Sequence, residues 1–240
     1  MYTFDSRIRY SEADSEGRLT LAALINYFQD CSTFHSEDVG LGMEYLKEKE
    51  LVWVLSSWQI VVERYPWIGE HVTIGTQPYE LKGFLGYRNF CMTDEKGNYV
   101  AKANTLWSLL DTKTLRPSQV TEDMLQGYGL GERIEMEYAP RKIQVPQGGV
   151  TREPIIVKKH NIDTNHHVNN QQFVDMAMDY LPEDFIVGQL RAEYKKQAFL
   201  GDVLTPYVVE DNGRMIISLT DPAGMPYVVV EFLQMERADK

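Results

Sequence analysis

Two distant segments of this chain are versions of one pattern, and that repetition limits the folds open to it. Near the start stands Ala13-Asp14-Ser15-Glu16-Gly17-Arg18-Leu19-Thr20, and much later Ile162-Asp163-Thr164-Asn165-His166-His167-Val168-Asn169. Asp14 and Asp163 set the offset at 149 residues (163 − 14). Each segment runs into apolar residues at helical spacing: Leu21, Leu24, Ile25 and Phe28 in the first, and Phe173, Met176, Ala177, Tyr180 and Leu181 in the second. Thr20 and Asn169 hold equivalent places and are both good helix N-caps.

The correspondence continues at a shorter offset. Trp67-Ile68-Gly69-Glu70 parallels Phe199-Leu200-Gly201-Asp202, each within a β-rich run. Thr93-Asp94-Glu95-Lys96-Gly97 parallels Thr220-Asp221-Pro222-Ala223-Gly224, a hairpin turn between strands. Strands are expected at the end of each half, from Tyr99 to Leu110 and from Tyr227 to Met235. Turns rich in Asp and Gly recur by chance, but four matches in one order argue for true duplication.

Each half therefore reads as a helix followed by antiparallel strands. One amphipathic helix needs a broad apolar surface to cover it, which a curled sheet provides. That is the hot-dog arrangement, and two copies make an α+β double hot dog, each a long helix wrapped by a curved antiparallel sheet. The expected division is an N-terminal copy over 1–130, a linker over 131–151 rich in Gly and Pro, and a C-terminal copy over 152–240.

Bulk properties narrow the function. A net charge of −11, from 24 basic and 35 acidic residues, repels phosphate backbones and disfavours nucleic acid as a partner. Cys31 and Cys91 are the only cysteines, which suits a reducing compartment better than a disulfide framework. The opening residues are charged by Asp5 and hold no long apolar run, so neither a signal peptide nor membrane insertion is expected and a cytoplasmic location is.

The run from Asp163 to Asn170 gathers two imidazoles, three amides and a carboxylate just before a helix. Helix N-termini offer free N–H donors and a partial positive charge. Thioester hydrolysis needs a group that activates water, which suits a histidine, and donors for the developing oxyanion, which suit helix-terminal N–H groups and the Asn165 amide. At the 149 offset the first copy has Glu16 for Asn165 and Arg18 for His167, so it lacks the imidazole. One half is expected to catalyse and the other to bind. A histidine at a helix start also serves often as a plain hydrogen-bonded residue. His166 is read as a neighbour facing elsewhere. His160, His166 and His167 lack a familiar zinc spacing, so neither a metal nor a cofactor is expected.

On these residues the chain resembles the acyl-acyl carrier protein thioesterases of plant plastids and bacteria. Asp163-x-Asn165-x-His167-Val168-Asn169-Asn170 looks like the family signature, and Trp53-Val54-Leu55-Ser56, Val62-Glu63-Arg64-Tyr65-Pro66, Gly69-Glu70 and Leu115-Arg116-Pro117-Ser118 are similar to its N-terminal half. The resemblance implies that Asp163, Asn165 and His167 are catalytic and that the N-terminal half helps select chain length. The plant enzymes carry a further Glu followed by Cys on a later strand, where alignment on Glu193-Tyr194-Lys195-Lys196 puts Gln197 and Ala198. A Gln takes no proton, so the base role falls on His167, with Gln197 holding water or orienting the ring, or serving only as a polar strand residue.

The expected reaction is general-base attack of water on the thioester, with Asp163 ordering the loop or polarising the imidazole. A covalent route through Asp163 is the other possibility. Leu24, Phe28, Trp53 and Trp58 are candidates for an acyl slot and equally for core. The expected partner is an acidic acyl carrier protein bearing a fatty acyl-phosphopantetheine, docked through Arg141-Lys142, Lys158-Lys159 or Lys195-Lys196 on a monomer or homodimer. The rival readings are an acyl-CoA thioesterase and a non-catalytic acyl-thioester sensor.

Overall fold

The computed structural model describes residues 1–236, so the last four residues of the expected C-terminal copy lie outside the described part. The chain divides into two compact units, one of Met1–Ser56 with Ile60–Tyr138, the other of Ser57–Gln59 with the chain from Ala139 onward.

The first unit runs β1 (Tyr2–Arg7), α1 (Leu21–Asp38), α2 (Met43–Glu48), β2 (Leu51–Val62), β3 (His71–Lys82), β4 (Leu85–Asp94), β5 (Tyr99–Asp111) and α3 (Glu122–Tyr128). Its strands lie in the order β1-β3-β4-β5-β2. The Thr20 hydroxyl accepts the Ala23 N–H at 3.1 Å and starts α1. The buried face of α1 carries Leu24, Ile25, Phe28 and Cys31, each no more than 1% exposed. It packs on β3 and β1, and Phe28 meets Phe90 of β4 with ring centres 5.4 Å apart. Leu24, Phe28 and Trp58 are thus core residues.

The second unit runs β6 (Val150–Thr151), β7 (Ile155–Ile156), α4 (Asn170–Met178), β8 (Val187–Tyr194), β9 (Val203–Asp211), β10 (Arg214–Thr220) and β11 (Pro226–Gln234). Its strands lie in the order β8-β11-β10-β9-β6, with β7 also on β9. The helix packs on β10 and β11 through Phe173, Val174 and Ala177. Ile143 of the preceding segment buries against Val209, Ile216 and Val229. Both faces of these strands are therefore covered, which accounts for near-continuous runs such as Val228-Val229-Val230.

The second helix is shorter than its spacing predicts. It ends at Met178, and Tyr180 and Leu181 lie in the turn beyond it. Pro182 has no N–H to donate to the Met178 carbonyl, so the ladder stops there.

The duplication is visible bond by bond. A short 3-10 turn precedes each motif, Tyr10–Glu12 in one unit and Lys159–Asn161 in the other. In the first unit Leu19 N–H donates to Pro66 O and Gly69 N–H to Ile8 O. In the second Val168 N–H donates to Ala198 O and Gly201 N–H to Val157 O. The hairpin turns closed by Asp94 and Asp221 match as well: each carboxylate accepts two backbone N–H groups of its own turn.

Candidate active site

The loop before α4 is organised by one carboxylate. Asp163 Oδ1 accepts the Asn165 N–H at 2.8 Å and the His167 N–H at 3.4 Å. The Asp163 N–H donates to His167 O at 2.9 Å, and the His166 N–H to Asp163 O at 3.1 Å. The turn thus closes on itself, and Ile162 and Val168 bridge across its base. His166 sits at its apex with φ 63°, exposed.

The His167 side chain is half-buried. Its imidazole meets the Phe199 ring edge to face, with centres 5.0 Å apart. Among the described residues no side chain bonds its ring nitrogens, and the Asp163 carboxylate serves the backbone rather than the imidazole. The ring is oriented by packing and its nitrogens remain available. The first copy shows the contrast: Arg18 turns back over its own loop, pairing with Glu16 at 2.6 Å and Asp14 at 3.6 Å.

The start of α4 supplies donors. Asn169 Oδ1 caps the helix by accepting the Gln171 N–H at 2.9 Å, and the Gln172 N–H turns to Asn169 O at 2.9 Å. The N–H of Asn170 is left with no partner among the described residues. The Tyr194 hydroxyl, on β8, donates to Asn170 O at 2.9 Å and ties the helix start to the sheet. Burial raises the pKa of that phenol, keeping it a donor.

Asn161 is a positioning residue the sequence reading passed over. Only 6% exposed, it accepts the Lys158 N–H at 2.9 Å on Oδ1 and donates from Nδ2 to Gln172 Oε1 at 2.7 Å. Its carbonyl receives the Asn169 N–H at 2.9 Å. The 149 offset pairs it with Glu12, whose carbonyl likewise receives the Thr20 N–H, so the repeat itself was the signal for it.

Gln197 lies beyond the end of β8, exposed, and not on a strand. Tyr194 is the last paired residue of β8, and the Lys195 and Lys196 N–H groups both turn to Tyr227 O. Its neighbour Ala198 receives the Val168 N–H, so the backbone at Gln197 runs beside the Asp163–His167 loop. Among the described residues its side chain makes no hydrogen bond. Asp163, Asn165 and His167 thus share one turn, with Gln197 on the adjoining segment. Asn165 is exposed, its N–H tied to Asp163 and its side-chain amide free.

Of the three basic pairs, Lys195 is held by Glu193 and Lys196 by Asp221, each at 2.8 Å. Arg141, Lys142, Lys158 and Lys159 are exposed and form no ion pair among the described residues. The first unit contains a cavity of about 160 Å³ beside α1, α2 and β4, lined by Met43, Leu46, Trp53, Leu81, Arg88 and Trp107 among others. Among the described residues no helix is long and apolar enough to cross a membrane.

Two units, each a run of antiparallel strands carrying its own central helix, define a double hot-dog protein. The acyl-ACP thioesterase N-terminal domain matches residues 1–128 and the acyl-ACP thioesterase C-terminal domain residues 144–218. The chain belongs to the acyl-ACP thioesterase family. A crystal structure of an acyl-ACP thioesterase from Bacteroides thetaiotaomicron superposes with TM-score 0.89 at 22% identity, covering 97% of both chains. The 12:0-ACP thioesterase from Umbellularia californica gives TM-score 0.85 at 19% identity, covering 98% of this chain and 97% of that one. The chloroplastic acyl-(acyl-carrier-protein) hydrolase FATB1 of Cuphea viscosissima is 23% identical over 222 residues, which is 85% of this chain and 53% of that protein. The chain spans about half the length of the curated relatives it matches.

Proposed function

We propose that this protein hydrolyses fatty acyl thioesters on acyl carrier protein, releasing the free fatty acid, in the cytoplasm. The observation that carries this reading is a half-buried imidazole at His167, three residues ahead of the Asn170 N–H that opens α4, with neither the ring nitrogens nor that N–H partnered among the described residues.

In the proposed reaction His167 removes a proton from water as its oxygen bonds to the thioester carbon. Negative charge then develops on the carbonyl oxygen, where the Asn170 N–H and the Asn165 amide donate hydrogen bonds. Collapse of the intermediate breaks the C–S bond, and the imidazolium returns its proton to the departing sulfur. Asp163 orders the loop through its backbone bonds, and Gln197 positions the water. Donors of this kind contribute about 3 kcal/mol each to barrier lowering.

The cavity of the first unit is proposed to hold the acyl chain. At about 160 Å³ it resembles in size a cavity known to take benzene, so as it stands it receives a segment of about six carbons. The carrier, itself acidic, is proposed to dock on the free cations Lys158 and Lys159, which flank the catalytic loop in sequence.

The test is turnover on acyl carrier substrates of graded length with matched CoA thioesters beside them. Wild type with no turnover on any thioester overturns the reading. A single turnover in heavy-oxygen water separates the routes, since label in Asp163 would remove direct attack by water.

A further inference from the structure

One buried cation of the first unit has no counter-ion among the described residues. Arg88 of β4 is only 8% exposed, yet no carboxylate reaches it among the described residues. Its Nη1 donates to Thr76 Oγ1 at 3.1 Å and meets His35 Nδ1 at 3.0 Å. The guanidinium carbon lies 5.3 Å from the centre of the Tyr128 ring. Burial lowers the Arg88 pKa to about 10, which leaves it protonated at neutrality. His35 is pushed down to about 4, first by burial and then by Arg88 itself, so it stays neutral and offsets no charge.

A guanidinium carries five N–H donors in a planar fork, and the two bonds from Nη1 leave Nη2 and Nε without protein partners. Arg88 lines the cavity described above. Trp53 lines the same cavity, and its indole Nε1 is buried with no acceptor among the described residues. The Ser36 hydroxyl is already engaged, with Ser32 O at 3.0 Å and with Tyr128 OH at 3.1 Å. The Glu37 carboxylate also lines the cavity and accepts the Met43 N–H at 2.8 Å. The rest of the lining is largely apolar, and the free donors of Arg88 suit a ligand that brings an anionic acceptor on an aliphatic chain.

We propose that this cavity recognises a carboxylate-bearing aliphatic chain, the carboxylate on the free donors of Arg88 and the methylenes against Leu46, Leu81 and Trp107. This rests on the reading that the cavity holds an acyl chain. Two sources supply the chemistry. One is a released fatty acid entering carboxylate first, and the other an acyl group that carries a carboxyl at its far end.

The test titrates the full chain with sodium dodecanoate and, in parallel, with dodecanol, followed by calorimetry and by the emission of Trp53 and Trp107. Dodecanoate is expected to bind about 10-fold or more tightly than dodecanol, as a charge-assisted pair requires. Arg88→Gln should bring the two together, and Leu46→Trp, which fills the cavity, should weaken both. Equal affinities in the wild type overturn the carboxylate proposal and leave the acyl cavity standing. No binding of either removes both. Selectivity that survives in Arg88→Gln also overturns the proposal. Should that variant fail to fold, the wild-type comparison together with Leu46→Trp still decides. Higher kcat/KM on the ω-carboxy acyl carrier thioester than on the plain one supports the substrate source. Inhibition of dodecanoyl carrier turnover by dodecanoate, relieved in Arg88→Gln, supports the product source.

Discussion

Gly17 and His166 occupy the same left-handed position of the same turn, 149 residues apart, with φ 87° and 63°. In each copy that residue follows an Asp by three and donates its N–H to the carbonyl of that Asp. Glycine adopts this conformation freely, whereas a histidine held there is strained by about 1 kcal/mol. The second copy has kept the turn and placed two adjacent imidazoles in it, at His166 and His167, ahead of α4.

His166→Gly should therefore be close to neutral. Relief of strain is offset by the greater freedom of glycine in the unfolded chain, and the net change should stay within about 1 kcal/mol. His167→Ala should leave stability similar and lower kcat by about 100-fold or more. Thermal melts and steady-state turnover of both variants check this, and a larger kcat loss for His166→Gly than for His167→Ala contradicts the assignment.

Asp163 and Asp14 make the same backbone bonds in their two loops, Asp14 Oδ1 accepting the Glu16 and Arg18 N–H groups at 2.9 Å each. Replacing either with Ala should cost stability by about 1–2 kcal/mol. Only Asp163→Ala should also lower kcat at temperatures where both variants remain folded. Asp163→Asn keeps the acceptor, so most activity should return if the carboxylate serves the backbone alone. Activity of Asp163→Asn as low as that of Asp163→Ala would show instead that the charge itself takes part.

His35 makes stability depend on pH. Burial and the neighbouring Arg88 take its pKa from 6.5 down to about 4, so between these values the unfolded chain binds more protons than the folded one. The sign follows: its contribution is unpenalised above about pH 6.5, and stability declines as pH falls from there to about 4. His35→Gln, which keeps an acceptor for Arg88, should melt with a shallower decline across that window. Parallel pH curves for wild type and variant would exclude His35 as the source.

Lys158→Ala with Lys159→Ala should raise KM for a carrier-bound substrate several-fold while leaving KM for the matched CoA thioester nearly unchanged. The wild-type preference for the carrier should also weaken with added salt, because exposed charges are screened beyond about 10 Å at 0.1 M. Equal effects on both substrates would place the docking surface elsewhere.

The duplication was legible in the sequence because it resides in short-range chemistry. An Asp that caps its own turn, a Thr or Asn that starts a helix and the residues of a hairpin turn all satisfy backbone groups within a few positions, so their spacing survives in the order of residues. The Asp163–His167 loop was legible for the same reason. Short-range reading failed where a bond reaches across the chain or an element must stop: α4 gives out at Met178, four residues before Pro182, and Gln197 leaves the strand where the Lys195 and Lys196 N–H groups both turn to Tyr227 O. The sequence by itself determined two copies of one unit, with an imidazole in the loop motif of only one of them. Only the tertiary structure decided that, among the described residues, the Asp163 carboxylate serves the backbone and leaves the imidazole free, and that Arg88 is buried with no carboxylate on it. Both depend on which side chains meet across elements dozens of residues apart, and no periodicity along the chain records that.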